Sequence, residues 1–261
     1  DKAIMIGSSF RRDNLSLKLN HKVNKKVTLD FSMRYANTVV NGAGAQESKN
    51  EVSSSDSRMK NVMIYPMFNF PDLSDSYDPD FNLTQPLTAV RDADKKQNRQ
   101  NFNMNGSFTW EIIKNLKFKT EFGLDWYYNT DKRYYGVTTY NARTNSTDSE
   151  GTHPMATFTD TERHTFRNTN TINYDFKNLI KNKDHSLNLL LGEETISKKN
   201  QQKTNHMNLF PTYFTAKETW SLTTQGQSFK PMDLKKYADD NLLSFFARAN
   251  YNYKDKYLLS A

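Results

Sequence analysis

The sequence predicts an all-β chain: antiparallel, up-and-down strands forming part of a large transmembrane β-barrel, with long extracellular loops and short periplasmic turns. Three observations carry this. Apolar and polar residues alternate strictly over segments of about ten residues, the length a tilted strand needs to cross a bilayer, where ordinary strands average about five or six. Short turns alternate along the chain with long polar stretches, the barrel layout. The composition fits too: of 261 residues only 36% are hydrophobic, yet 13% are aromatic. Strands with one wet and one apolar face produce that mixture.

The first hairpin places Leu15, Leu17, Leu19 and Val23 on one face, with His21 the exception, and Ser16, Lys18, Asn20 and Lys22 on the other. Asn24-Lys25-Lys26 makes the turn. Val27, Leu29, Phe31, Met33 and Tyr35 then alternate with Thr28, Asp30, Ser32, Arg34 and Ala36. Period-two patterning puts alternate side chains on opposite faces of a strand. The second hairpin repeats the design. Phe102, Met104, Phe108, Trp110 and Ile112 lead to a turn at Ile113-Lys114-Asn115, and Leu116, Phe118, Phe122, Leu124, Trp126 and Tyr128 return. The pairs Val23/Val27 and Ile112/Leu116 each flank a three-residue loop, which keeps both apolar rows on one face.

A weaker pair follows. His164, Phe166, Asn168, Asn170, Ile172, Tyr174 and Phe176 form one face of a Thr/Asn-rich strand, and His185, Leu187, Leu189 and Leu191 return after a turn at 177–184. The last hairpin runs through Leu243, Phe245, Ala247, Ala249, Tyr251 and Tyr253, turns at Lys254-Asp255-Lys256, and returns with Tyr257, Leu259 and Ala261. The count is about eight strands, with a possible fragment near Ala3–Phe10. The long stretches 37–99, 129–162 and 198–241 read as loops. Trp110, Trp126, Tyr174, Phe176, Tyr251, Tyr253 and Tyr257 suit interfacial girdles. Lys18, Asp30, Arg34, Glu111, Lys117, Lys119, Glu121, Asp125 and Arg248 share the polar face, which is either a lumen or a solvated surface.

Several function classes fall away. No run approaches the roughly 18 apolar residues of a spanning helix, and disordered chains are poor in aromatics. With no cysteine there is no disulfide framework, no Cys-based zinc site and no thiol nucleophile. The five histidines, His21, His153, His164, His185 and His206, form no close-spaced metal pair. Asp72, Asp75, Asp78 and Asp80 cluster, but without the spacing of a calcium loop; Asp near Pro marks turns. The net charge of +7 is spread along the chain, so nucleic acid is not expected as a partner. Tyr134, Tyr135, Tyr140, Tyr213 and Trp220 either stack on sugar rings or pack the loops, and packing is the expectation. No catalytic residue, metal or cofactor is expected, and the substrate-binding residues are unknown.

Three blocks of residues add a resemblance. They are Asn61-Val62-Met63-Ile64-Tyr65-Pro66-Met67-Phe68, with Tyr77-Asp78, Leu87 and Arg99 leading into Phe108–Lys119; the segment Asn241–Ala261; and the opening hairpin Asn14–Tyr35. Together they resemble the SusC/RagA family of TonB-dependent outer-membrane transporters. The resemblance implies a barrel of the roughly 22-stranded type closed by a plug. It also implies import of oligosaccharides or peptides, TonB-driven, with a SusD-like surface lipoprotein, in the outer membrane of a Gram-negative bacterium. Residues 1–261 would then be the N-terminal to middle strands of the barrel, without plug or C-terminal strands. A passive porin and a non-enzymatic surface β-scaffold are the alternatives.

Overall fold

The computed structural model describes residues 6–42, 62–63, 65, 85–176, 184–228 and 230–261. Eight strands follow one another across a single antiparallel sheet: β1 (Ser9–Lys22), β2 (Val27–Asn41), β3 (Ala93–Ile113), β4 (Leu116–Tyr135), β7 (Met155–Asp175), β8 (His185–Asn208), β11 (Asp240–Tyr253) and β12 (Tyr257–Ser260). Each pairs with the next in the path, and the sheet is open, with β1 and β12 at its ends. Two short strands, β9 (Gln227–Ser228) and β10 (Asp233–Lys236), continue the line of β11 along β8. A separate small ladder joins β5 (Thr147–Asp148) and β6 (Gly151–Thr152). Three short α-helices, α1 (Pro86–Asp92), α2 (Tyr140–Asn145) and α3 (Ala216–Ser221), and a 3-10 turn at Thr223–Gln225 lie in the connections.

The tight turns follow the sequence. Asn24 folds its carboxamide back, and Oδ1 accepts from the N–H groups of Lys26 (2.7 Å) and Val27 (2.9 Å). This side-chain mimic of a turn is what Asn supplies. At the β11–β12 turn, Lys254 and Asp255 both take positive φ (52° and 53°), and Tyr253 pairs with Tyr257 as expected. The β3–β4 turn differs slightly from expectation. Asn115 sits in the left-handed region (φ 72°), Ile113 pairs with Leu116, and the ladder shifts by one residue between Glu111 and Ile113. The loop is thus two residues, Lys114 and Asn115, and Ile112 is the extra residue of a bulge that restores the alternation. Beyond the bulge Trp110 faces Phe118, so the apolar rows still match. The expected turn at 177–184 lies outside the described residues except for Asp184. The fragment near Ala3–Phe10 is described from Ile6 onward, and its Ser9 and Phe10 open β1.

The strands outrun the alternation. β3, β4, β7 and β8 contain 21, 20, 21 and 24 residues. At about 3.3 Å per residue they are roughly 65–80 Å long. The stretches read as loops at 37–99, 129–162 and 198–241 are therefore strand at their ends: β2 continues to Asn41, β3 begins at Ala93, β4 continues to Tyr135, β7 begins at Met155 and β8 continues to Asn208. In these extensions both faces are largely polar, as in Asn98, Arg99 and Gln100 or Asn129, Thr130 and Asp131. No period-two signal marks them.

At that end the connections fold onto the sheet. Ala156, Phe210 and Phe214 form a buried cluster, joined by Phe158, Met207 and Trp220. The Tyr134 hydroxyl donates to the Phe214 carbonyl (2.8 Å). Ser146 Oγ accepts from the Leu209 N–H (2.9 Å) and donates to the Pro154 carbonyl (3.2 Å). Asn208 donates to the Asn145 carbonyl (2.7 Å). These bonds tie the 136–154 and 209–226 connections into one cap. Thr215 and Glu218 close the start of α3 as a capping box. Gly226 lies so close to Phe210 that a Cβ there would collide with the ring.

One further tie in the cap joins a histidine to a carboxylate. His153 has Nδ1 3.1 Å from the Phe210 carbonyl and Nε2 3.0 Å from Asp148. The Glu150 N–H bonds to Asp148 (2.8 Å) and, with His153, holds that carboxyl below its ordinary range. A depressed carboxyl stabilises above its ordinary pKa and loses that contribution as pH falls through the lowered value. Amide exchange at Glu150 and His153 is therefore expected to rise as the pH falls below about 4. Asp148→Asn removes this dependence, and an unchanged acid response in that variant would refute the assignment. Phe210→Ala empties a fully buried ring position. It should cost about 3–5 kcal/mol, read as faster exchange at Ala156 and Met207 with the Asn24 turn unaffected.

Candidate functional site

The register determines what each face presents. Leu17, Met33, Met104, Leu124 and Phe166 are successive partners across five strands. Two residues toward the tight turns, Leu19, Phe31, Gly106 and Phe122 form the next row. Further rows follow through Trp110–Phe118–Ile172–Leu191 and Leu116–Tyr174–Leu189. Leu17, Phe31, Phe118 and Leu124 therefore share one apolar face, and it is open: Leu17 is 53% exposed, Phe122 49% and Phe245 75%. Among the described residues the cap covers only its far end.

The expected aromatic girdles have counterparts at both edges of this face. Trp126 and Tyr128 stack in parallel (6.0 Å, 4°) at the edge toward the cap. Tyr174 and Phe176 meet edge to face (4.6 Å) at the turn end, where Tyr253 also packs with His185 (4.8 Å) and Tyr257 (6.3 Å). Within the apolar face lies a polar inset, on the Thr/Asn-rich strand that the sequence marks as the weaker one. Asn170 donates to Glu193 (3.0 Å) and to Asn168 (2.8 Å), and Asn168 donates to Thr120 (3.4 Å). The low apolar content of the Asn168–Asn170 row was its signal.

The opposite face is polar and mixed in charge. Lys18, Asp30, Arg34, Glu111, Lys117, Lys119, Glu121, Asp125 and Arg248 all fall on it by register. Neighbours neutralise one another: Lys119 bridges Glu121 (2.7 Å), Ser107 donates to Asp30 (3.1 Å), Asn20 and Asn103 donate to Asp30 and Asp125, and Thr169 donates to Glu194 (3.0 Å). A recess of about 310 Å³ opens between Lys18, Asp30, Asn105, Glu121 and Arg167. Arg167 lies across Gly123, where a Cβ would stand 3.5 Å from its Nε. Nearer the cap, Arg163 stands 5.1 Å above the Tyr127 ring, and Arg133 holds the buried Asp131 through two bonds (2.9 and 3.2 Å). Such a surface is well hydrated and offers planar guanidinium forks to carboxylates. It can line an aqueous path.

The histidines stand apart from one another. His21 is exposed on β1; His153 is in the cap; His164 contacts Glu162 (3.0 Å); His185 meets the Tyr251 hydroxyl (2.5 Å); His206 meets Thr157 (3.2 Å). Among the described residues no three metal-ligating side chains converge. Asp72, Asp75, Asp78 and Asp80 lie outside the described residues. Of the loop aromatics, Tyr134 and Trp220 pack the cap as expected, whereas Tyr213 is 80% exposed beside Phe214.

No family model and no curated protein matches the chain. Solved structures do. The RagAB peptide transporter superposes with a TM-score of 0.72 at 19% identity, over 97% of this chain and 27% of the transporter chain. The RagAB peptide importer gives 0.70 at 18% identity in a closed-closed state and 0.69 at 19% in an open-open state. The chain thus spans about a quarter of the length of these neighbours. They agree with the resemblance read from the sequence, and residues 6–261, where described, have the fold of a stretch of a transporter β-barrel.

Proposed function

We propose that this chain is a wall segment of a TonB-dependent outer-membrane transporter of the SusC/RagA kind. The longer protein imports peptides or oligosaccharides with a SusD-like surface lipoprotein. The observation that carries the reading is the open apolar band set back to back with a mixed-charge face on one continuous sheet. Along β4 the apolar row runs from Leu116 to Trp126, about 33 Å at ~3.3 Å per residue. At a tilt of about 40° that is roughly 25 Å of height, the hydrocarbon span of an outer-membrane barrel. The aromatic pairs at both edges fit the girdles that flank such a band. A soluble scaffold with these rows would leave large apolar side chains in water. The similarity to the RagAB peptide importer, solved in a closed-closed and an open-open state, supports the import reading.

Two experiments test this. In the parent polypeptide, Phe122→Arg or Leu17→Arg on the apolar face should cost about 2–4 kcal/mol near mid-membrane. Ser107→Arg on the polar face should cost far less. Outer-membrane yield and heat-modifiable migration read the difference, and equal tolerance of both classes would refute the wall assignment. Uptake of labelled peptides or oligosaccharides by cells should stop when the proton-motive force is collapsed. Uptake that persists would make the parent a passive porin.

A further inference from the structure

Just past the apolar face on the side toward the cap there is a pocket of about 410 Å³, with Glu162, His164, Lys199, Gln201, Lys236 and Asp239 in its lining. Its lining comes from adjacent strands in register, and Trp126 and Tyr128 on β4 flank it without lining it. Trp126 pairs with His164 and that with Lys199; Tyr128 pairs with Glu162, Gln201 and then Lys236. These rows lie immediately past Phe166, the last apolar residue of β7 before the cap side.

The charges here are arranged unequally. Glu162 is spent on its neighbours: it accepts from Gln201 (2.6 Å), from Trp126 Nε1 (3.3 Å) and from His164 Nε2 (3.0 Å). That hub fixes the indole, and with it the Trp126–Tyr128 stack, at the pocket edge. The ammonium groups are less committed. Lys199 stands 3.8 Å from Asp239, beyond hydrogen-bond length, with both side chains well exposed. Lys236 makes no ion pair among the described residues and is exposed. Lys236 and the loosely paired Lys199, beside an aromatic platform, therefore overlook the rim of an apolar wall.

We propose that this rim pocket binds the phosphorylated headgroup of a membrane lipid. Lys199 and Lys236 take the phosphate, the Trp126–Tyr128 stack supports the headgroup, and the acyl chains lie along Phe166 and Leu124. A compact anion would use the lysines alone. The aromatic platform and the adjoining apolar band suit a ligand with a charged end and a hydrocarbon end. The inference rests on the barrel-wall reading, because only there do these rows lie at the membrane surface.

The test uses the parent protein, purified in dodecyl maltoside and stripped of lipid, then titrated with phosphatidylglycerol, with an uncharged galactolipid and with inorganic phosphate. Bound lipid is counted by native mass spectrometry. Phosphatidylglycerol should bind saturably, and the Lys199→Gln/Lys236→Gln variant should lose about tenfold or more in affinity, as expected for lost charge-assisted bonds. Lys235→Gln, whose residue pairs with Gln202 on the opposite face, should leave binding unchanged. Equal binding by wild type and the double variant, or equal binding of the galactolipid, overturns the proposal. So does displacement of the lipid by millimolar inorganic phosphate, which would make the pocket a simple anion site. Outer-membrane fractionation of wild type and variants separates the two readings. A parent absent from that membrane defeats the wall itself, whereas a correctly inserted, lipid-indifferent parent defeats only this pocket.

Discussion

The structure depends on parity held across a continuous hydrogen-bonded ladder. From β1 to β8 the register shifts once, between Glu111 and Ile113, beside a turn. Because side chains alternate with period two, a one-residue slip in any pair would exchange the faces of every strand beyond it. Leu124 would then join Arg167, and Arg34 would join Met104. The turns guard against this. Asn24 closes the first loop with its own carboxamide, and Asn115 absorbs the left-handed conformation that places the bulge where it does no harm. A few polar turn residues thus determine which way several dozen side chains point.

Legibility in the sequence tracks that parity. The hairpins at 15–35, 102–128 and 243–261 were readable because burial against an apolar medium on one side and water on the other imposes alternation. Strand ends near the cap were not. At Gln97, Asn129 and Asp131 polar residues are buried, Asp131 on Arg133 and the carboxamide oxygens of Gln97 and Asn129 without a side-chain hydrogen bond. Nothing in composition distinguishes such a strand from a polar loop. The main-chain ladder, which any residue but proline can make, carries these strand ends without asking for a side-chain pattern. The cap was legible only in part: loop packing for Tyr134 and Trp220 was foreseen, but the partners Phe210 and Phe214 are distant in sequence and carry no periodic signal.

The functional site had the same limit. Which residues share the polar face could be read, and each of the nine named charges lies there. How they neutralise one another could not, because Asp30 meets Ser107 and Asn20 from strands on either side. The inset at Asn168, Asn170 and Glu193 shows the converse. In sequence it looked like weak alternation; in three dimensions its members satisfy one another across two strands. A carboxylate placed on an apolar face costs least when amide donors are already aimed at it, and Asn170 supplies one at 3.0 Å.

The same constraint explains why so few identities accompany so close a fold. At 19% identity the chain still superposes on the RagAB peptide transporter with a TM-score of 0.72. A barrel wall asks for apolar character on one face, polarity on the other, and a short turn after a fixed number of pairs. Leu, Phe, Met and Val satisfy the first interchangeably, and Asn, Ser, Thr, Lys and Glu the second. Residue identity is therefore free to drift while strand length, parity and turn position are not. Sequence similarity fades first on such a sheet, and the pattern survives.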